Sequence, residues 1–405
     1  MPGDRRARVF GPRFILCAVG AILVAALAFA DAAAAVTARA DAGTTASLWP
    51  NDPRALTRQA EALIAGDPPR SPARAAALAR RSLALAALQP RALRIVGTAT
   101  EIGGDERDAS RQILLAERLS RRDLLTQLWG IEHAVSRGEV AAVLRHYDIA
   151  LRTEPDSEQL LFPVLAGALG EPAIRRGFRP YLGRQPVWLQ PFLEYAADRG
   201  SDPQGLAMLL AAPARGTAAR SDLISSKLLT RLLPGGDLAS AIGFARSDPA
   251  YRPGLERDAT LGPATMGPSL RPLTWAPQEG NGVFARADTA AATLHVFADP
   301  GAAGEVLQRF LALAPGRYVL ATSHRFASAG DGATASWRIS CLRDGHFVAQ
   351  WTGRDPLAAR RPRTQQEVVL PDGCDRQYVT LSVDGGTDTV PLDYELTSIA
   401  LTRAR

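Results

Sequence analysis

The chain of 405 residues is poor in lysine, cysteine and histidine, and each shortage removes a class of protein. Lys227 is the only lysine, so 46 of the 47 basic residues are arginine. That skew follows GC-rich coding rather than a phosphate-binding surface. Residues 1–30 hold four Arg and one Asp, and the remainder keeps 43 basic against 40 acidic residues, too few and too scattered for a nucleic-acid surface. Three cysteines exclude a disulfide-dense toxin. The five histidines, His133, His146, His295, His324 and His346, show no metal-ligand spacing to one another or to a cysteine, and His133 and His146 read as packing residues. There is no Gly-x-Ser-x-Gly elbow, no Gly-Lys-Ser/Thr phosphate loop and no dinucleotide glycine fingerprint. The expectation is therefore a protein that is not an enzyme, with no cofactor, no metal and no catalytic residue to name. A collagen and a polytopic membrane protein are also excluded. Hydrophobic residues at 46% and charged residues at 22% suit globular domains, and the length suits two or three of them.

One long apolar run is present, at the very start. Arg5, Arg6, Arg8 and Arg13 precede an apolar stretch from Phe14 to Ala30, which closes on Ala28-Phe29-Ala30 before Asp31. Basic residues, an apolar run and a small-x-small end make residues 1–30 either a cleaved signal peptide or a signal anchor with one span. Positive charge on the N-terminal side puts the bulk of the chain across the membrane in both cases. Cys17 follows Leu16 inside the run, so it is not a lipoprotein cysteine. The chain is expected in the periplasm or cell envelope, soluble or held at the inner membrane. The two cysteines beyond the leader, Cys341 and Cys374, then read as one disulfide.

After a flexible segment at 31–51, residues 52–248 alternate helical apolar periodicity with turns at Asp67-Pro68-Pro69, Gly103-Gly104-Asp105, Arg137-Gly138-Glu139 and Glu154-Pro155-Asp156. Gly104 and Gly138, Ile113 and Tyr147, and Ala116 and Ala150 each lie 34 residues apart. On these residues, with Gly97, Ala109 and Pro155, the segment resembles the tetratricopeptide-repeat family, an array of stacked helical hairpins. Arg121 stands where that family closes a repeat with Pro, and Gly130-Ile131 replaces its Leu-Gly pair. Arg179-Pro180 and Gln190-Pro191 interrupt the later units. The resemblance implies a protein partner on the concave face, which Arg80, Arg81, Arg94, Arg121 and Arg122 could line. The bland alternative is a helical bundle with no groove.

Residues 249–270 read as a Pro/Gly-rich linker. From 271 to 405 short alternating runs recur with no helix between them: Val283–Ala287, Thr293–Phe297, Val306–Leu313, Arg317–His324, Ala335–Leu342, His346–Thr352, Gln365–Leu370, Gln377–Val383 and Tyr394–Leu401. They predict an all-β jelly-roll sandwich, so the whole is a multi-domain chain of helical hairpins followed by β-sheets. The stretch from Gln308 to Leu320, with its Ala314-Pro315-Gly316 turn before Tyr318, resembles carbohydrate-binding and galactose-binding-like modules. Trp275 and the Thr293–Val296 run suit the same fold. That resemblance implies glycan binding by exposed aromatic faces and polar side chains, and the candidates are Trp351, Arg338 and Tyr378. Trp337 is a further candidate that reads better as core, and Tyr318 and Tyr378 also fit a core reading. Asp384, Asp388 and Asp393 near a Gly-rich turn could hold Ca²⁺, but Asp in such turns usually bonds its own backbone.

These readings describe an exported envelope protein whose helical array binds a protein partner and whose sandwich binds glycan or protein. Polysaccharide assembly or export is the setting they suggest. The alternatives are a purely structural adaptor and a glycan-active enzyme with an accessory sandwich.

Overall fold

Proline and aspartate set the helix starts of the N-terminal half. The computed structural model describes residues 50–65, 69–211, 221–235, 237–343, 346–355, 363–387 and 389–404, so the leader lies outside it. Among the described residues, no helix is long and apolar enough to cross a membrane. They form two compact units that divide after Pro155.

The first unit holds α1 (Pro53–Ile64), α2 (Pro72–Leu85), α3 (Pro90–Ile102), α4 (Glu106–Leu119), α5 (Leu124–Ser136) and α6 (Val140–Thr153), paired as hairpins. Pro53, Pro72 and Pro90 occupy first-turn positions whose N–H has no helical acceptor to lose. Asp52, Asp105 and Asp123 accept backbone N–H groups as N-caps of α1, α4 and α5. Gly104 and Gly138 make the tight turns inside the second and third hairpins at φ of 91° and 68°, which L side chains resist. Alanine at 60, 75, 79 and 92 lets α1, α2 and α3 approach closely around Ile95 and Val96.

Arg94 is not a groove residue. It is 4% exposed, donates from Nε to Asp123 Oδ2 at 2.6 Å, and pairs through Nη2 with Glu61, tying α1, α3 and the cap of α5 together. Arg80, Arg81, Arg121 and Arg122 are exposed.

The second unit opens with α7 (Glu158–Ala168), α8 (Pro172–Arg184), α9 (Leu189–Arg199), α10 (Pro203–Ala211), α11 (Asp222–Leu232) and α12 (Leu238–Ala245). The predicted interruption at Pro180 does not occur, since α8 runs through it. Phe178, Tyr181 and Leu182 are buried on either side of that proline, and tertiary packing outweighs the lost backbone hydrogen bond. Pro191 falls in the first turn of α9, where no bond is lost.

The sandwich follows with β1 (Ala276–Pro277), β2 (Glu279–Gly280), β3 (Val283–Asp288), β4 (Thr293–Ala298), β5 (Ala303–Leu311), β6 (Gly316–Ser328), β7 (Thr334–Arg343), β8 (His346–Asp355), β9 (Arg363–Leu370), β10 (Gln377–Asp384) and β11 (Leu392–Arg403). The strands form two antiparallel sheets, β1-β5-β10-β7-β8 and β2-β3-β4-β11-β6-β9. Inward residues of both sheets make one core around Trp275 and Trp337, whose rings meet edge to face at 6.2 Å. The Cys341–Cys374 disulfide forms and joins β7 to the turn before β10.

The segment 249–270 is no free tether. Leu255, Ala259, Met266 and Leu270 are buried, and Ala259 and Met266 belong to the sandwich core. Arg309, fully buried on β5, lies over the Trp275 ring at 5.4 Å and donates to the carbonyls of Leu255 (3.0 Å) and Thr265 (3.4 Å). Burial lowers its pKa to about 9. The core thus extends past the boundary at 271 that composition suggests.

Candidate functional site

Strand alternation distributes the predicted ligand residues over both faces of the five-stranded sheet. On β7, Ala335, Trp337, Ile339 and Cys341 point into the core, so Ser336, Arg338 and Ser340 point outward. Arg338 Nη1 stands 3.4 Å from Glu305 Oε1, with both side chains nearly half exposed. Tyr378 lies on the same outer face, opposite Ser340 and Phe310 in register. Its ring meets Phe310 at 5.7 Å and Phe347 at 4.4 Å, both edge to face, and it is 7% exposed. Burial pushes its phenol pKa up, and a ring enclosed in this way offers no open face for stacking.

Trp351 sits opposite Ile339 and therefore faces inward. It is half-buried against the core, and a Cβ at Gly353 would run into its ring and the Gln366 amide. Arg338 and Tyr378 are thus on one side of the sheet and Trp351 on the other. The three do not converge.

A different constellation forms on the outer face of the six-stranded sheet. Val283 and Ala285 on β3, Leu294 and Val296 on β4, and Leu392, Tyr394 and Leu396 on β11 are buried, which turns the intervening residues outward. Register aligns Phe284, Phe297 and Asp393 in one row, and Arg286, His295, Glu395 and Arg325 in the next. The Phe284 and Phe297 rings stack at 5.1 Å with 18° between their planes. His295 meets Phe284 edge-on at 5.6 Å, and its Nε2 is 2.6 Å from Asp393 Oδ1. Arg325 Nη2 lies 2.7 Å from Glu395 Oε2, and the Arg286 guanidinium lies 5.6 Å from the Phe284 ring centre.

Both phenylalanines are partly exposed, while Arg286, His295 and Arg325 are exposed. An apolar pair is therefore flanked by two carboxylates, two guanidiniums and an imidazole, all within the reach of one surface ligand. The outward aromatics of this face are Phe, not the Trp and Tyr expected of a glycan site. The usable signal is the alternation in Val283-Phe-Ala-Arg286 and Leu294-His-Val-Phe297, which places large or polar side chains opposite a core row.

Among the described residues, no group of three or more His, Cys, Asp or Glu is placed to hold a metal. Asp384 Oδ1 accepts the Gly386 N–H at 2.8 Å and so closes its own turn, Asp393 faces His295, and Asp388 lies outside the described residues.

No family model matches the chain, and no curated protein matches it. Solved structures similar to it include a family 61 carbohydrate-binding module in complex with β-1,4-galactotriose, 15% identical over 32% of this chain and 88% of that one, with a TM-score of 0.22. A CBM4 structure is 12% identical over 37% of this chain and 98% of that one, at 0.24. A GH115 4-O-methyl-α-glucuronidase is 12% identical over 68% of this chain and 41% of that one, at 0.20. At such scores the likeness decides nothing about ligand or activity.

Proposed function

We propose that this is an exported, non-enzymatic envelope protein whose sandwich binds a glycan on the outer face of the six-stranded sheet. The observation that carries the reading is the stacked Phe284–Phe297 pair set beside the His295–Asp393 and Arg325–Glu395 pairs. Pyranose rings present an apolar face and a rim of hydroxyls, so they suit an aromatic patch bordered by paired donors and acceptors. In this reading the leader 1–30 delivers the chain across the membrane, and the helical hairpins recruit a protein partner. Work on envelope polysaccharide is the setting.

The test is a glycan array probed with the oxidised, full-length chain. A saturable hit should weaken about tenfold or more in the F284A/F297A variant and persist in R338A, which alters the opposite sheet. A folded, disulfide-bonded chain with no hit, or a hit indifferent to F284A/F297A, would sink the reading and favour a protein adaptor.

A further inference from the structure

A cavity of about 640 Å³ opens in the first unit between α4, α5 and α6. Its size falls in the range of small-molecule pockets. Gly130 on α5 lets the His146 ring of α6 pack directly against the α5 backbone at the cavity wall, where a Cβ would stand 2.6 Å from the ring. His146 is 5% exposed and fixed on both nitrogens. Nδ1 is 2.8 Å from Gln127 Oε1, and Nε2 is 3.0 Å from Arg145 Nη2, an arrangement that suits a neutral ring donating from Nδ1.

Trp129 lines the cavity with its indole N–H bonded to Glu101 at 2.9 Å and its ring stacked on His133 at 4.6 Å. The aromatic wall is therefore held in place before any ligand arrives, which lowers the ordering cost of binding. Arg145, also in the lining, pairs with the largely buried Glu117 at 3.3 Å.

Three glutamates and three arginines line the cavity, so its formal charge is balanced. An anion would meet the glutamates, a cation would meet the arginines, and a purely apolar ligand would strip water from the Glu117–Arg145 pair without replacing it. A neutral ligand with many hydroxyls can bond to both members of such a pair while its apolar face lies on the aromatic wall. We infer that this cavity is a binding site for a neutral oligosaccharide, separate from the face proposed on the sandwich.

The experiment titrates the full-length F284A/F297A chain, in which the sandwich face is already removed, with maltotriose, cellotriose, chitotriose and β-1,4-galactotriose by calorimetry. At least one should bind, and W129A should weaken it about tenfold or more. Should W129A fail to fold by circular dichroism, S110W serves instead, since it fills the cavity from a partly exposed position on α4 and should abolish binding. No binding by any of the four overturns the inference, as does binding that W129A or S110W leaves intact. Tighter binding of trigalacturonate than of galactotriose overturns the neutral class.

Discussion

Arg94 is a charge taken almost wholly out of water and held there by two carboxylates, one on α1 and one at the N-cap of α5. Removing the guanidinium leaves Asp123 buried without its nearest counter-charge, although Asp123 keeps Arg91 Nε at 3.5 Å and the Thr126 N–H and hydroxyl at 3.3 and 2.6 Å. Truncating one member of such a buried pair typically costs about 3–5 kcal/mol, so R94A should lower the denaturant midpoint of the first unit, while R80A should leave it unchanged within error. His146 makes a pH prediction at the same scale. Burial holds its folded pKa below the unfolded value of about 6.5. The unfolded chain therefore takes up the proton first as pH falls, and stability present above about 6.5 is lost between that value and the lower folded pKa. Thermal unfolding of the first unit should shift to lower temperature from pH 7 to pH 5, and H146Q should flatten the dependence. A steeper dependence in H146Q would refute the assignment.

At the scale of elements, Gly130 and the disulfide carry the clearest expectations. G130A sets a methyl against a ring already bonded on both nitrogens, so the hairpin must shift, at a typical overpacking cost of about 1–3 kcal/mol. Replacing both Cys341 and Cys374 by serine opens a loop spanning a sequence separation of 33 residues, which should cost about 2–4 kcal/mol by chemical denaturation. These elements also show what the sequence discloses. The nine longer strands, β3 to β11, are legible because turn residues such as Pro371-Asp372-Gly373 punctuate runs that alternate by two, and the helix turns because Gly104 and Gly138 supply left-handed backbone. Helix α8 is misread at Pro180 because local propensity carries no information about the aromatic packing of Phe178 and Tyr181. The Phe284–Phe297 row is obscure for a related reason. Alternation gives the face of each residue, but only cross-strand register brings positions 284, 297 and 393 together.

On the scale of the whole molecule, the sandwich and the segment before it share one hydrophobic core. A fragment beginning at residue 271 keeps every long strand but loses the carbonyls of Leu255 and Thr265, leaving Arg309 buried without them, and loses Ala259 and Met266 from the core. That fragment should unfold at markedly lower denaturant concentration than one beginning at residue 249, and equal midpoints would contradict the role given to Arg309. The lone lysine has a consequence of another kind. Lys227 on α11 lies 3.3 Å from Asp198, and amine-directed reagents have no other side chain to attack in the chain. Covalent cross-links made through amines can therefore start only from Lys227 on α11 or from the chain's amino terminus. The hairpins of the first unit hold no lysine, so a partner on them is mapped through their own side chains only by carboxylate- or arginine-directed chemistry.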